Sequence, residues 1–393
     1  MLDEVLLLTN GPGELSTWVP PVLSRLRQAM PEARIELFLI RDQFAAGTEQ
    51  AKAKELHLDA ISTRTGLIHR LVSGKTRGRG AVLMLGGAPR DAVLLARATG
   101  YPAFSYTFDP KAYHPALRAV LVDSERTREG LRLRGFDPTR VAVVGNLVVD
   151  AMNDAASGPP VEADVLLLAG SRPFAARYLL GFLLAAAEQM AARRPGLKFA
   201  WVRSRLLPDA VVEEALNGGL VREIGGVGAR REGSCLRTDG GLEVALLDEP
   251  QRYAAMRSAA LAVTIPGTNT LELALARLPS LVLLPLHKPE LLPLEGVLHW
   301  LFMLPGGKPL KQAFLRRFVE RIPHLALPNQ WLGEQVFPEM RGVFSPAEVA
   351  AQGLELLSPA RAQQIRARLE RLEAQPGADN LVAYVLANCQ AAR

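Results

Sequence analysis

The stretch Val263 to Leu286, VTIPGTNTLELALARLPSLVLLPL, constrains the fold more than any other part of the chain. An apolar run breaks at Pro266-Gly267, passes through Thr268, Asn269 and Thr270, and starts a helix at Leu271-Glu272. A second apolar run follows from Leu281 to Leu286, so the stretch predicts strand, tight turn, helix and strand. At such a turn Gly267 lets the backbone approach a ligand, while Thr268, Asn269 and Thr270 cap the helix and donate hydrogen bonds to an anion. A nucleotide diphosphate fits that chemistry.

The same alternation recurs along the chain. Apolar strands are expected at Val5–Thr9, Ile35–Ile40, Ala81–Leu85, Ala103–Tyr106, Ala119–Val122 and Val141–Val144, then at Val165–Leu168 and Lys198–Val202. Amphipathic or turn-rich segments separate them, among them helices at Trp18–Met30, Asp91–Thr99, Ser124–Arg134 and Arg177–Ala192. This predicts an α/β protein with doubly wound parallel sheets covered on both faces. A chain of 393 residues exceeds one ordinary core. The proline-rich stretch at 157–164, SGPPVEAD with its neighbours, divides it into a Rossmann-like domain over 1–156 and a second over 165–358, with helical closure over 359–393.

A net charge of +6 favours anionic partners, although arginine-rich composition alone produces the same value. Cys235 and Cys389 lie far apart with no metal-binding spacing, so neither a metal site nor a disulfide framework is expected. The first apolar run is too short for a signal segment, and no uninterrupted apolar stretch approaches the roughly 20 residues that cross a bilayer. A cytoplasmic protein is the expectation. The segment 287–322 sets apolar clusters beside Lys308, Lys311, Arg316, Arg317 and Arg321, a pattern that suits either a membrane-facing surface or a packed helical hairpin. Ser73–Gly80, SGKTRGRG, lacks phosphate-loop spacing and reads as a solvated loop.

Four segments then appear in a telling order: Gly145-Asn146-Leu147-Val148-Val149-Asp150, Leu168-Ala169-Gly170-Ser171-Arg172, Pro266-Gly267-Thr268-Asn269-Thr270-Leu271-Glu272, and Leu327-Pro328-Asn329 followed by Pro338-Glu339. They resemble the GHPLVD, LPGSR, SGTATLE and LPN…PE motifs of the lipid A disaccharide synthase family. The resemblance implies a GT-B fold, two Rossmann-like domains facing across a cleft. It also implies an inverting, metal-independent glycosyltransferase that moves a sugar from a UDP donor to a lipid-linked acceptor, peripheral at the cytoplasmic membrane face, with no nucleic-acid partner and no cofactor.

On that resemblance Gly170, Ser171, Arg172, Gly267, Thr268, Asn269, Thr270, Glu272 and Asn329 bind the UDP-sugar. The residues keep plainer readings beside it. Glu272 is either a ribose ligand or a first-turn acid favoured by the helix dipole. Arg172 pairs with phosphate or with a surface carboxylate, and Pro328-Asn329 also suits an ordinary turn. Asn10, Gly11, Gly13 and Ser16, in the loop after the first strand, correspond to the acceptor side. Glu14 and Asp91 are the leading candidates for the catalytic base, with Asp109 and His114 competing. The family's APD loop reads Ala88-Pro89-Arg90-Asp91 here, which displaces the acid by one place. Two rival readings stand beside the transferase: a UDP-sugar epimerase or hydrolase on the same fold and, from the departure at Arg90, a nucleotide-sugar-binding relative without catalysis.

Overall fold

The computed structural model describes residues 2–9, 11–40, 49–109, 112–155, 161–219, 221–288, 317, 319 and 321–390. The chain forms two compact units, Met1–Ala156 with Ala374–Arg393, and Ser157–Glu373.

The first unit is built on seven strands: β1 (Glu4–Thr9), β2 (Arg34–Leu39), β3 (Ala60–Ser62), β4 (Gly80–Leu85), β5 (Ala103–Thr107), β6 (Ala119–Val122) and β7 (Val141–Val143). Their order is β3-β2-β1-β4-β5-β6-β7, and every pairing is parallel. Strands β1 and β4 are buried along their whole length, as near-continuous apolar runs require in a sheet covered on both faces. One face packs Leu6, Leu8, Phe38, Val82, Met84 and Val120 into a common core with helix Arg90–Thr99. Glu4 breaks the apolar run, and its buried carboxylate is held by Arg70 at 2.5 Å and by the Tyr101 hydroxyl at 3.1 Å.

The second unit contains β8 (Val165–Leu167), β9 (Phe199–Arg203), β10 (Ala229–Glu232), β11 (Cys235–Thr238), β12 (Glu243–Asp248), β13 (Leu261–Thr264), β14 (Ser280–Pro285) and β15 (Glu339–Gly342). The order is β10-β11-β12-β9-β8-β13-β14-β15. The glycine-rich region after residue 217 forms an antiparallel hairpin, β10 and β11, turning at Gly233-Ser234 and continued by β12. All other pairings in this sheet are parallel. Helix Pro173–Arg193 buries Leu180, Phe182, Leu183 and Leu184, and the Ser345 and Glu348 side chains form a capping box for helix Pro346–Leu356.

The helix Ala378–Gln390 belongs to the first unit. The segment Gly145 to Asp150 secures it there. Asp150 Oδ2 accepts from the backbone N–H groups of Gly377 (2.6 Å) and Ala378 (3.1 Å), and Asn146 N–H donates to Gln375 O (2.7 Å). Gly145 has φ +112, and a methyl group there would run into the Pro376 carbonyl, so the close approach requires glycine.

Residues 75–79 of the basic loop are exposed between helix Arg64–Ser73 and β4. The segment 287–322 lies outside the described residues except for 287, 288, 317, 319, 321 and 322. Among the described residues no helix is long and apolar enough to cross a membrane.

Candidate functional site

In a doubly wound sheet, a ligand crevice opens where neighbouring strands send their connections to opposite sides, at the carboxyl ends of those strands. In the second unit β8 leads toward β9 and β13 leads toward β14, so the switch point lies between β8 and β13. The two expected phosphate-binding segments, 168–172 and 265–270, leave those two strands. They meet: Gly170 has φ +87, and a methyl there would lie 2.7 Å from Ile265 Cδ1. A side chain at 170 would therefore be strained and would push the loops apart.

The side chains divide by exposure. Gly267 and Thr268 are exposed, and Ser171, Arg172 and Asn269 are half-buried. Asn269 Nδ2 donates to Thr264 Oγ1 at 2.5 Å, tying the turn to the end of β13. Thr270 is fully buried; its hydroxyl donates to Gly267 O at 2.7 Å and accepts from Leu327 N–H at 3.1 Å. Glu272 is 3% exposed, and its Oε1 takes the Tyr253 hydroxyl at 3.0 Å and lies 3.2 Å from Arg252 Nη2. Burial, then the adjacent Glu272 charge, drives the Tyr253 phenol well above its usual range, so it stays a donor. Burial pulls the Arg252 guanidinium down, but Glu272, Tyr253 and Glu249 more than offset that, and its pKa rises.

Asn329 is also spent inside the unit. Its Nδ2 donates to Phe337 O and Glu339 Oε1, both at 2.8 Å, and its Oδ1 accepts from Val336 N–H (2.9 Å) and Phe337 N–H (2.8 Å). Burial raises the Glu339 pKa, yet the Ala326 and Leu325 amides, Arg341 and Asn329 together hold it below the usual carboxylate range. The structure thus brings Gly170, Ser171, Arg172, Gly267, Thr268 and Asn269 to one crevice. It gives Thr270 and Asn329 bracing roles, and it sets Glu272 in a buried ionic cluster with Arg252 and Tyr253.

The first unit has its own switch point between β1 and β4. Thr9 Oγ1 bridges them by donating to Leu85 O at 3.2 Å. Asn10 lies outside the described residues; Gly11 and Gly13 are half-buried at the start of helix Pro12–Thr17. The Glu14 carboxylate sits where a methyl on Gly11 would collide with it, and a methyl on Gly86 would lie 2.7 Å from Glu14 Cγ and 2.9 Å from Trp18 Cζ3. Gly86, missed from sequence, makes this room at the end of β4; only its glycine pair could have signalled it. Ser16 accepts from Lys52 Nζ at 2.6 Å. Asp91 is half-buried in the first turn of helix Arg90–Thr99, near the same end of the sheet, while Arg90 is exposed. Of the competing bases, His114 Nδ1 accepts from Ala116 N–H at 3.1 Å, a turn-capping role, and Asp109 folds onto Thr107. Among the described residues no three His, Cys, Asp or Glu side chains converge to hold a metal.

The two units and their switch points define a two-domain α/β fold of the GT-B type. No family model and no curated protein matches the chain. Solved structures match over nearly its whole length. They include a Listeria monocytogenes protein proposed to be a UDP-N-acetylglucosamine 2-epimerase (TM-score 0.59, 13% identity, 98% of this chain and 96% of that one). The S. aureus protein MnaA with UDP gives TM-score 0.58, 13% identity and 98% of each chain. UDP-GlcNAc 2-epimerase from Neisseria meningitidis, bound to UDP-GlcNAc, gives 0.53, 14%, and 98% and 99%. At such identities the likeness is one of fold.

These matches correct the family expected from the motifs. The neighbours that share this architecture are mostly UDP-GlcNAc 2-epimerases, which are isomerases, although a glycotransferase of kitacinnamycin also shares it, and the resemblance to lipid A disaccharide synthase falls with the transferase activity and the lipid-linked acceptor it implied. The motifs misled because two of them serve folding: Gly145–Asp150 secures a helix, and Asn329 braces a loop.

Proposed function

We propose that this chain binds a UDP-sugar and epimerises the sugar while the nucleotide carries it, with no acceptor. The observation that carries this reading is the match of both units, over 98% of the chain, to a 2-epimerase fold solved with UDP-GlcNAc bound. The second unit's crevice supports it. Arg172 and Ser171 from the β8 loop and the exposed backbone at Gly267-Thr268 from the β13 loop take the diphosphate; Asn269 and Thr270 hold that turn in shape, and Asn329 braces the segment behind it. Glu272, with Arg252 and Tyr253, fixes the helix beneath the turn. In the first unit Glu14 and Asp91 are the groups that hold or move a proton, and Gly11, Gly13 and Ser16 shape the helix turn that carries Glu14.

The test is incubation of the protein with UDP-GlcNAc alone in D2O, followed by proton NMR. Breaking and remaking a sugar C–H bond should yield a second UDP-sugar inverted at one carbon and carrying deuterium there. Recovery of unchanged, unlabelled UDP-GlcNAc overturns the epimerase reading. Arg172→Ala should weaken UDP about tenfold by calorimetry, the loss of one charge-assisted contact; unchanged affinity removes the β8 loop from the site.

A further inference from the structure

The outer face of the first unit carries a surface that the proposed reaction does not use. Helices Arg64–Ser73 and Arg90–Thr99 pack side by side, and Gly74, ending the first, lies against the backbone carbonyl of Ala98 near the end of the second. Their inward residues, Leu67, Val93 and Leu95, are in the core. Their outward residues are not what an ordinary solvated face presents: Val72 is 85% exposed, Ile68 54% and Leu94 37%, half of the large exposed hydrophobics among the described residues. Ile68 and Val72 stand one turn apart on one stripe.

Cations frame this apolar patch. Lys75, Arg77 and Arg79 are exposed in the loop that runs from Val72 toward β4, and Arg97 is exposed on the second helix. None of the four side chains forms an ion pair among the described residues. Between residues 64 and 100 the sole acid is Asp91, and one further acid, Asp3, meets the loop, its carboxylate accepting from Arg79 N–H at 2.7 Å. The loop enters β4 at its amino end, opposite the end that carries Gly86 and Glu14.

From this arrangement we propose that the helix pair and its basic loop dock the protein on an anionic phospholipid surface. Exposed aliphatics on one face of a helix enter the headgroup boundary, and flanking lysines and arginines pair with lipid phosphates. Charge complementarity selects this occupant: a second copy seated on the same face would set unpaired cations against cations, and a polynucleotide would leave Ile68, Val72 and Leu94 without an apolar partner. Docking at the amino end of the sheet leaves the switch-point residues uncovered. The proposal does not rest on the epimerase reading.

Co-sedimentation of the full chain with vesicles tests it. Binding is expected with vesicles of phosphatidylglycerol in phosphatidylcholine and not with phosphatidylcholine alone, and it should weaken in high salt. Each cation near the surface contributes about a fivefold change in affinity, so reversing Lys75, Arg77 and Arg79 together to Glu should lower binding by more than about a hundredfold. Ile68→Ser with Val72→Ser should lower it while binding still requires anionic lipid. These positions are exposed, so unchanged melting should accompany each loss. Equal binding to both vesicle types, or full binding by the charge-reversed variant, overturns the proposal. A dimer in solution that Val72→Asp dissociates also overturns it, by assigning the face to a second copy.

Discussion

Asn329 commits all of one amide to its own unit, donating to Phe337 and Glu339 and accepting from Val336 and Phe337. Asn329→Ala strands buried backbone groups, and a loss of about 3 kcal/mol in unfolding free energy should appear in denaturant titration. Glu339 makes the same cluster sensitive to acid. Its folded pKa lies below the unfolded value, so its contribution is complete above about pH 4.3 and disappears as pH falls through the lower folded value. Glu339→Gln should therefore lose less stability than the parent between about pH 5 and 3, measured by thermal melts across that range. None of this could be read from Leu327-Pro328-Asn329 alone. The dipeptide announced a turn, but the partners at 336–339 are fixed by tertiary folding, and a motif match supplied a ligand role in place of a bracing one. Glu272 shows the same limit: the acid in the first turn was legible, while Arg252 and Tyr253, which enclose it, carry no local signal.

Among elements, the strands with apolar runs were legible: β1, β2, β4, β5, β6, β7, β8, β9 and β14 appear within a residue or two of their expected places. Those that escaped are short or half-exposed. Strand β3 spans Ala60–Ser62 with no fully buried residue, β15 is EMRG at the sheet edge, and β12 mixes exposed acids with apolar positions. Edge strands such as β3 and β15 need no continuous apolar run, and β12, though paired on both sides, is half-exposed, so periodicity cannot find them. Helix Ala378–Gln390 depends on a partner distant in sequence, since Asp150 satisfies two of its first amides. Asp150→Ala should cost about 1–3 kcal/mol. Hydrogen exchange checks where: amides of 378–390 should exchange faster, and those of β8, β9 and β13 should not change.

At the scale of the whole molecule, the doubly wound architecture followed from alternation alone, and both candidate loops of the second unit fell at its switch point. The reaction did not follow, because one architecture hosts many chemistries. If the second unit holds the nucleotide, UDP at about 100 times its Kd should stabilise that unit by about 2.7 kcal/mol. Exchange protection should rise within 157–373 and stay level within 1–156; protection confined to the first unit would move the nucleotide site there.

The division of the chain also imposes an order on its making. The second unit is one uninterrupted stretch, Ser157–Glu373, whereas the first needs both Met1–Ala156 and Ala374–Arg393. A ribosome therefore delivers everything the second unit requires before it supplies the helix that Asp150 caps. The sheet synthesised first must wait, with its docking face for that helix uncovered, until the sheet synthesised later is already complete.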